Sequence, residues 1–148
     1  MVNKELDRYE WMRETAQHLR SGELSEIDPI AVADWFDEVS GSDRREVTSR
    51  LRRIIEHRLK LDYVTGPDLE RNRRGWDVTI DEQTGQLESI FDESPSLRRQ
   101  FTQELLDKTY ASVRRSVAKA YQVKLPEACP YTYADLLGEL GYHPQVNL

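Results

Sequence analysis

Histidine, arginine and cysteine are the residues of this chain whose types could do chemistry, and six arginines and a histidine crowd into one stretch. Between Ser42 and Tyr63 the sequence SDRREVTSRLRRIIEHRLKLDY carries seven lysines and arginines around His57, inside a protein of 148 residues with a net charge of −6. An imidazole that titrates near neutral pH beside a guanidinium is the smallest set that could cleave a phosphodiester. Histidine would move the proton and arginine would hold the phosphate. The candidates for that work are His57, Arg53 and Arg52.

Arg52 and His57 have four residues between them, the spacing of the ribonuclease motif of the higher-eukaryote-and-prokaryote nucleotide-binding (HEPN) helical bundle. Five steps along a regular helix rotate by about 500°, leaving the two side chains about 140° apart. They cannot meet on one phosphate unless the helix breaks between them. Arg53 and His57 do share a face, but the polar residue that usually follows the arginine of that motif is missing. The simpler reading gives His57 a structural place at the edge of an apolar stripe, hydrogen-bonded to a neighbouring helix.

The cations point to binding rather than catalysis. Arg45, Arg52, Arg53 and Lys60 fall on the solvent arc of the same predicted helix, and Glu56 in their midst cannot neutralise all of them. They form the expected binding surface. Their surplus charge must meet an acidic helix of the same chain, an acidic partner protein or phosphate, and self-association is the other expected use of such a face. No aromatic residue interleaves with them in sequence, so the stacking platform of a single-strand site is missing and nucleic acid is not the expected partner.

Other reactive residues read as structural. Glu14 and His18 are one helical turn apart, but the Glu-x-x-His pairs of di-iron bundles are absent, so no metal is expected. The single Cys129 precedes a proline in a predicted loop and lacks the paired spacing of a zinc site. Trp76 opens an apolar stripe and suits a wedge between helices. Neither a phosphate-binding glycine loop nor a Gly-x-Ser-x-Gly elbow occurs, so no catalytic residue is assigned and no cofactor is expected.

Composition bounds the object that positions these residues. A chain of this length buries about 68 to 70% of its unfolded surface, enough for a core without staples. A lone cysteine fits a reducing compartment. The N-terminus has no apolar run of signal-peptide type, and nothing approaches the roughly 18 apolar residues of a membrane span. A cytoplasmic protein with no membrane partner is expected. Charge is uneven along the chain: −7 over residues 1 to 43, +5 over 44 to 74 and −4 over 75 to 148.

Helix signals dominate. A first helix is expected from Lys4 to Ser21 after an Asn3 cap, with Tyr9, Met12, Ala16 and Leu19 on its core face, ending at Gly22. A second opens at Asp28-Pro29, stapled by Ile27 on Val32, and runs to about Val39. Ser42 caps a third, whose Val47, Leu51, Ile54, Ile55, Leu59 and Leu61 form one broad stripe. The segment Trp76 to Phe91 fits a β-hairpin and an amphipathic helix equally well. A long helix follows from Ser94 or Ser96 to about Tyr121. After a proline-bounded loop, Thr132 and Asp135 form a capping box for a short last helix, and the tail after Gly141 reads as irregular.

The ordered set Leu19-Arg20, Asp28, Arg45-Glu46, Ser49, Leu51, His57-x-Leu59-Lys60, Trp76, Thr79-Ile80, Gln83, Ser94 to Leu97, Tyr110 and Pro130-Tyr131 resembles a bacterial family known as a domain of unknown function, number twenty-nine in that series. The resemblance spans about Tyr9 to Leu137. It implies a compact helical protein, abundant in cyanobacteria and without assigned activity, and it makes Trp76 to Phe91 a helix. The chain departs from the pattern at Arg58 (usually leucine), Thr84 (usually arginine) and Trp35 (usually glutamate). Arg58 also projects onto the apolar stripe, so it must snorkel or pair. The expectation is a single-domain, all-α bundle of about six helices acting as an interaction or regulatory module. The alternatives are a HEPN-like ribonuclease and a purely structural oligomer.

Overall fold

The computed structural model describes residues 1–141, and the tail beyond Gly141, with His143, lies outside them. Among the described residues the fold is all-α. It consists of α1 (Arg8–Ser21), α2 (Pro29–Tyr63), α3 (Pro67–Glu93), α4 (Gln103–Tyr121) and α5 (Tyr133–Leu137), with 3-10 helices at Leu24–Glu26, Pro95–Gln100 and Gly138–Gly141. Two compact units divide the chain, Met1–Asp43 and the part from Arg44 onward, and the boundary falls inside α2.

Capping explains the element limits. α1 starts later than its periodicity implies because Asp7 is the cap, its side chain accepting from the Glu10 amide. Asn3 instead closes a turn before the helix, its carbonyl taking the Leu6 and Asp7 amides. Gly22 ends α1 in the left-handed region, at φ 78°, which glycine enters without a Cβ penalty. Asp28 caps α2 as expected, with Oδ1 3.0 Å from the Ile30 amide.

The predicted break around Val39 to Ser42 does not exist, and α2 runs through it as one helix. Glycine at position 41 weakens a helix but keeps its amide, unlike proline, and Ser40 turns its hydroxyl back onto the Asp37 carbonyl rather than opening a turn. Ser42 is a mid-helix residue, not a cap.

Trp76 to Phe91 is helix, part of α3. The long helix expected after it is two elements. A 3-10 helix carries Leu97, the chain turns at Phe101, and Thr102 caps α4 by accepting from the Leu105 amide at 3.1 Å. That turn accounts for two apolar arcs that no single helix face could bury. The capping box at Thr132 and Asp135 is present in both directions.

The core of the second unit is the stripe of α2. Val47, Leu51, Ile54, Ile55 and Leu59 have no exposed surface and pack with Leu87 and Phe91 of α3, Leu106, Tyr110, Val113 and Val117 of α4, and Leu136 and Leu137 of α5. Aromatic rings close its end: Phe91 meets Phe101 edge-on at 5.3 Å, and Phe101 stacks on Tyr133 at 4.6 Å. α4 holds the following loop through Tyr110 Oη and Arg114 Nε, both donating to the Pro126 carbonyl at 2.5 and 2.8 Å. Gly141 lies against the Tyr133 carbonyl, where a Cβ would collide with backbone.

Gln122, which ends α4, is the one non-glycine residue in the left-handed region among the described residues, at φ 52°. An L-residue there costs about 1–2 kcal/mol, against the roughly 0.5–1 kcal/mol that glycine loses in chain entropy. Gln122→Gly is therefore expected to raise stability by about 0.5–1 kcal/mol in a denaturant titration. An unchanged or lower midpoint would contradict that reading.

Candidate functional site

The basic stretch lies on α2 in the second unit, and the structure divides it. Arg45 and Arg53 are exposed. Arg52 reaches α4, where its Nη1 donates to Ser112 Oγ at 2.7 Å. Lys60 is turned inward, its side chain 13% exposed and its Nζ 3.0 Å from Glu56. The ammonium lies 5.6 Å from the Trp76 ring and 5.5 Å from the Tyr121 ring, which themselves meet edge-on at 5.9 Å. Two of the four cations predicted on a solvent arc are thus engaged within the fold. The aromatic partners missing near Lys60 in sequence come from α3 and α4. Periodicity could not reveal this, because Lys60 reaches the rings with a four-carbon stem.

His57 is buried, with 8% of its surface exposed, and its Nδ1 is 2.8 Å from the Arg53 carbonyl one turn back on the same helix. A carbonyl only accepts, so Nδ1 carries the proton and the ring is held as one neutral tautomer. The partner is its own helix, not the neighbour expected from sequence. Burial pushes its pKa below the ordinary value, against the raising effect of the bond to Arg53, and Lys60 lowers it further. His57 thus has its Nδ1 on its own backbone, one guanidinium nitrogen of Arg52 is taken by Ser112, and Arg53 is exposed.

A pH dependence follows. The unfolded chain binds this proton at about pH 6.5, and the folded chain only at lower pH. The contribution of neutral His57 is complete above about pH 6.5 and is lost as pH falls below it, levelling off once the folded form also protonates. Denaturant unfolding between about pH 8 and pH 5 should show a steeper acid-side loss for the wild type than for His57→Gln. Equal slopes would contradict it.

Arg58 pairs, as its position on the stripe demands. Its Nε is 3.1 Å from Asp62 Oδ2, its guanidinium lies 5.7 Å from the Tyr131 ring, and Tyr131 Oη donates to the same Asp62 oxygen at 2.6 Å. Burial and that bond hold the Tyr131 hydroxyl protonated. Cys129 is half-buried against the Tyr131 carbonyl at 3.5 Å, and burial pushes its thiol up, away from the thiolate a nucleophile needs. Among the described residues no group of three His, Cys, Asp or Glu side chains could hold a metal ion, and no helix is long and apolar enough to cross a membrane.

The first unit holds what sequence reasoning misplaced. α1 buries Trp11 and Thr15, with Trp11 edge-on to Trp35 of α2 at 6.5 Å. Lys4 lies over the Trp11 ring and Arg8 over the Trp35 ring, at 5.7 and 5.2 Å. The predicted core face, Tyr9, Met12, Ala16 and Leu19, is about 100° round the helix from that buried face. Tyr9 is 65% and Leu19 51% exposed, with Met12 and Ala16 half-buried between them. Tyr9, Met12 and Ala16 line an open groove along α1 together with Arg13, Arg20, Gln17 and the acids Glu10 and Glu14. Trp11, large, apolar and off the stripe, was the sequence signal that the inward face lay elsewhere.

Comparison with known proteins agrees with the ordered motifs. No curated protein and no solved structure matches the chain. The family model described as domain of unknown function DUF29 matches residues 5–140. With that match spanning α1 to α5, the chain belongs to the DUF29 family.

Proposed function

We propose that the protein is an interaction module, acting in the cytoplasm, whose partner protein docks on the N-terminal unit. One observation carries this. Of the large apolar side chains left exposed among the described residues, all but Val78 belong to Met1–Asp43: Met1, Leu6, Tyr9, Leu19, Leu24, Ile30, Phe36 and Val39. Single exposed apolar residues are ordinary, but their concentration in one unit marks a surface that gains by being covered. The second unit, by contrast, closes its core. The basic stretch supports the reading less, since Arg52 and Lys60 are engaged internally.

The test is quantitative affinity capture from the native host with three baits. Tyr9→Ser/Leu19→Ser, at exposed positions, is expected to lose the specific partners that the wild type captures. Arg45→Ser/Arg53→Ser is expected to keep them. The opposite pattern would return the interaction to the basic stretch of α2 and reject the N-terminal surface.

A further inference from the structure

The exposed face of α1 has a register as well as a composition. Tyr9, Met12, Ala16 and Leu19 are spaced three, four and three residues apart, the a and d positions of two heptads. In that register the flanking e positions are Arg13 and Arg20, and the g positions are Arg8 and Thr15. Arg13 and Arg20 are exposed on the groove and make no ion pair among the described residues. The helix's acids, Glu10 and Glu14, also line the groove but are at b and f, off the a/d seam, and Glu14 already accepts the Val2 amide at 2.9 Å.

Charge at these flanks selects the occupant. A second copy in parallel register would set Arg8 against Arg13, and an antiparallel copy would set Arg13 against Arg20. In this register neither e nor g carries an acid, Glu10 and Glu14 being at b and f. Like charges at e and g disfavour pairing, and opposite charges set partner choice. Ala16 between Met12 and Leu19 leaves a shallow place where a bulky apolar side chain can enter.

We propose that the α1 seam takes an amphipathic helix of a different protein, with an apolar a/d stripe and acidic residues on its flanks. This rests on the reading of the N-terminal unit as the docking surface and adds the partner's chemistry. The unit's overall charge is −7, but the e positions beside the seam are Arg13 and Arg20, and a charge beyond about a Debye length from the seam is largely screened.

The test uses the full-length chain and two labelled peptides of about three heptads, with leucine at a and d and either glutamate or lysine at every e and g. Like charges keep each peptide from pairing with itself. Fluorescence anisotropy at low ionic strength is expected to show the glutamate peptide binding about tenfold tighter than the lysine peptide, with the gap shrinking in salt. Arg13→Glu/Arg20→Glu, whose helix content circular dichroism would verify, is expected to reverse the preference. Equal binding of both peptides, binding of neither, or a dimer in sedimentation that Tyr9→Ser/Leu19→Ser dissolves would overturn the inference. Should these variants still lose native partners in affinity capture while the peptides fail to discriminate, the interaction module stands and only the acidic-helix partner falls.

Discussion

Truncating Ile54 to alanine is expected to cost about 2–5 kcal/mol in denaturant unfolding, the usual range for removing a branched aliphatic side chain from a filled core. Ile54 has no exposed surface and sits in the stripe where α2 meets α3 and α4. Little of that cavity can be refilled, because Leu51, Ile55 and Leu59 around it are equally enclosed and fixed on the same helix. Val78→Ala, at a position 46% exposed, supplies the control and is expected to stay within about 0.5 kcal/mol. An Ile54→Ala cost as small as the control would show that the stripe of α2 is not the core.

Lys60→Glu is expected to cost about 2–4 kcal/mol, far more than charge reversal at Arg45 or Arg53. The substitution removes an ammonium lying near two aromatic rings, worth about 0.5–2 kcal/mol. It also sets a carboxylate beside Glu56, where the native pair is 3.0 Å apart, and against the electron-rich ring faces. Lys60→Met keeps the apolar stem against Trp76 and Tyr121 and is expected to cost about 1 kcal/mol. Arg45→Glu and Arg53→Glu, at exposed positions, should each stay within about 0.5 kcal/mol. Thermal or denaturant unfolding of the four variants separates these cases. Equal, small effects at all three charge reversals would mean that Lys60 lies on the solvent arc after all.

What could be read in the sequence was whatever a single element decides for itself. The α2 stripe from Val47 to Leu59, the Asp28 cap, the Gly22 stop and the Thr132–Asp135 box each depend on residues within one or two turns, and each is present, while Leu61, expected in the stripe, is only half-buried. The pairing of Arg58 was legible too, because a cation amid apolar positions has few other options. Junctions were less so. Ser40-Gly41-Ser42 has the composition of a turn, yet no proline removes an amide, and the helix continues. Phe101 and Thr102 have the composition of a helix, yet Thr102 is a cap. The helix at Trp76 came from family resemblance, since alternation and helical periodicity both fit its apolar positions.

The candidate site was harder because partners across helices are invisible to periodicity. Neither Ser112 beneath Arg52 nor the rings around Lys60 could be inferred from the basic stretch alone. On α1 the apolar stripe was seen but assigned to the core by default. A seam that awaits another protein has the same sequence pattern as one already filled within the chain. Only the burial of Trp11 and Thr15 on another face separates the two.

The most direct test of the N-terminal docking surface is amide hydrogen exchange on the complex captured from the native host, compared with the free protein. Slowed exchange concentrated in α1, with the exposed basic face around Arg45 and Arg53 unchanged, is the predicted result. Protection centred on residues 44–60 with α1 unaffected would contradict the account and place the partner on the basic helix.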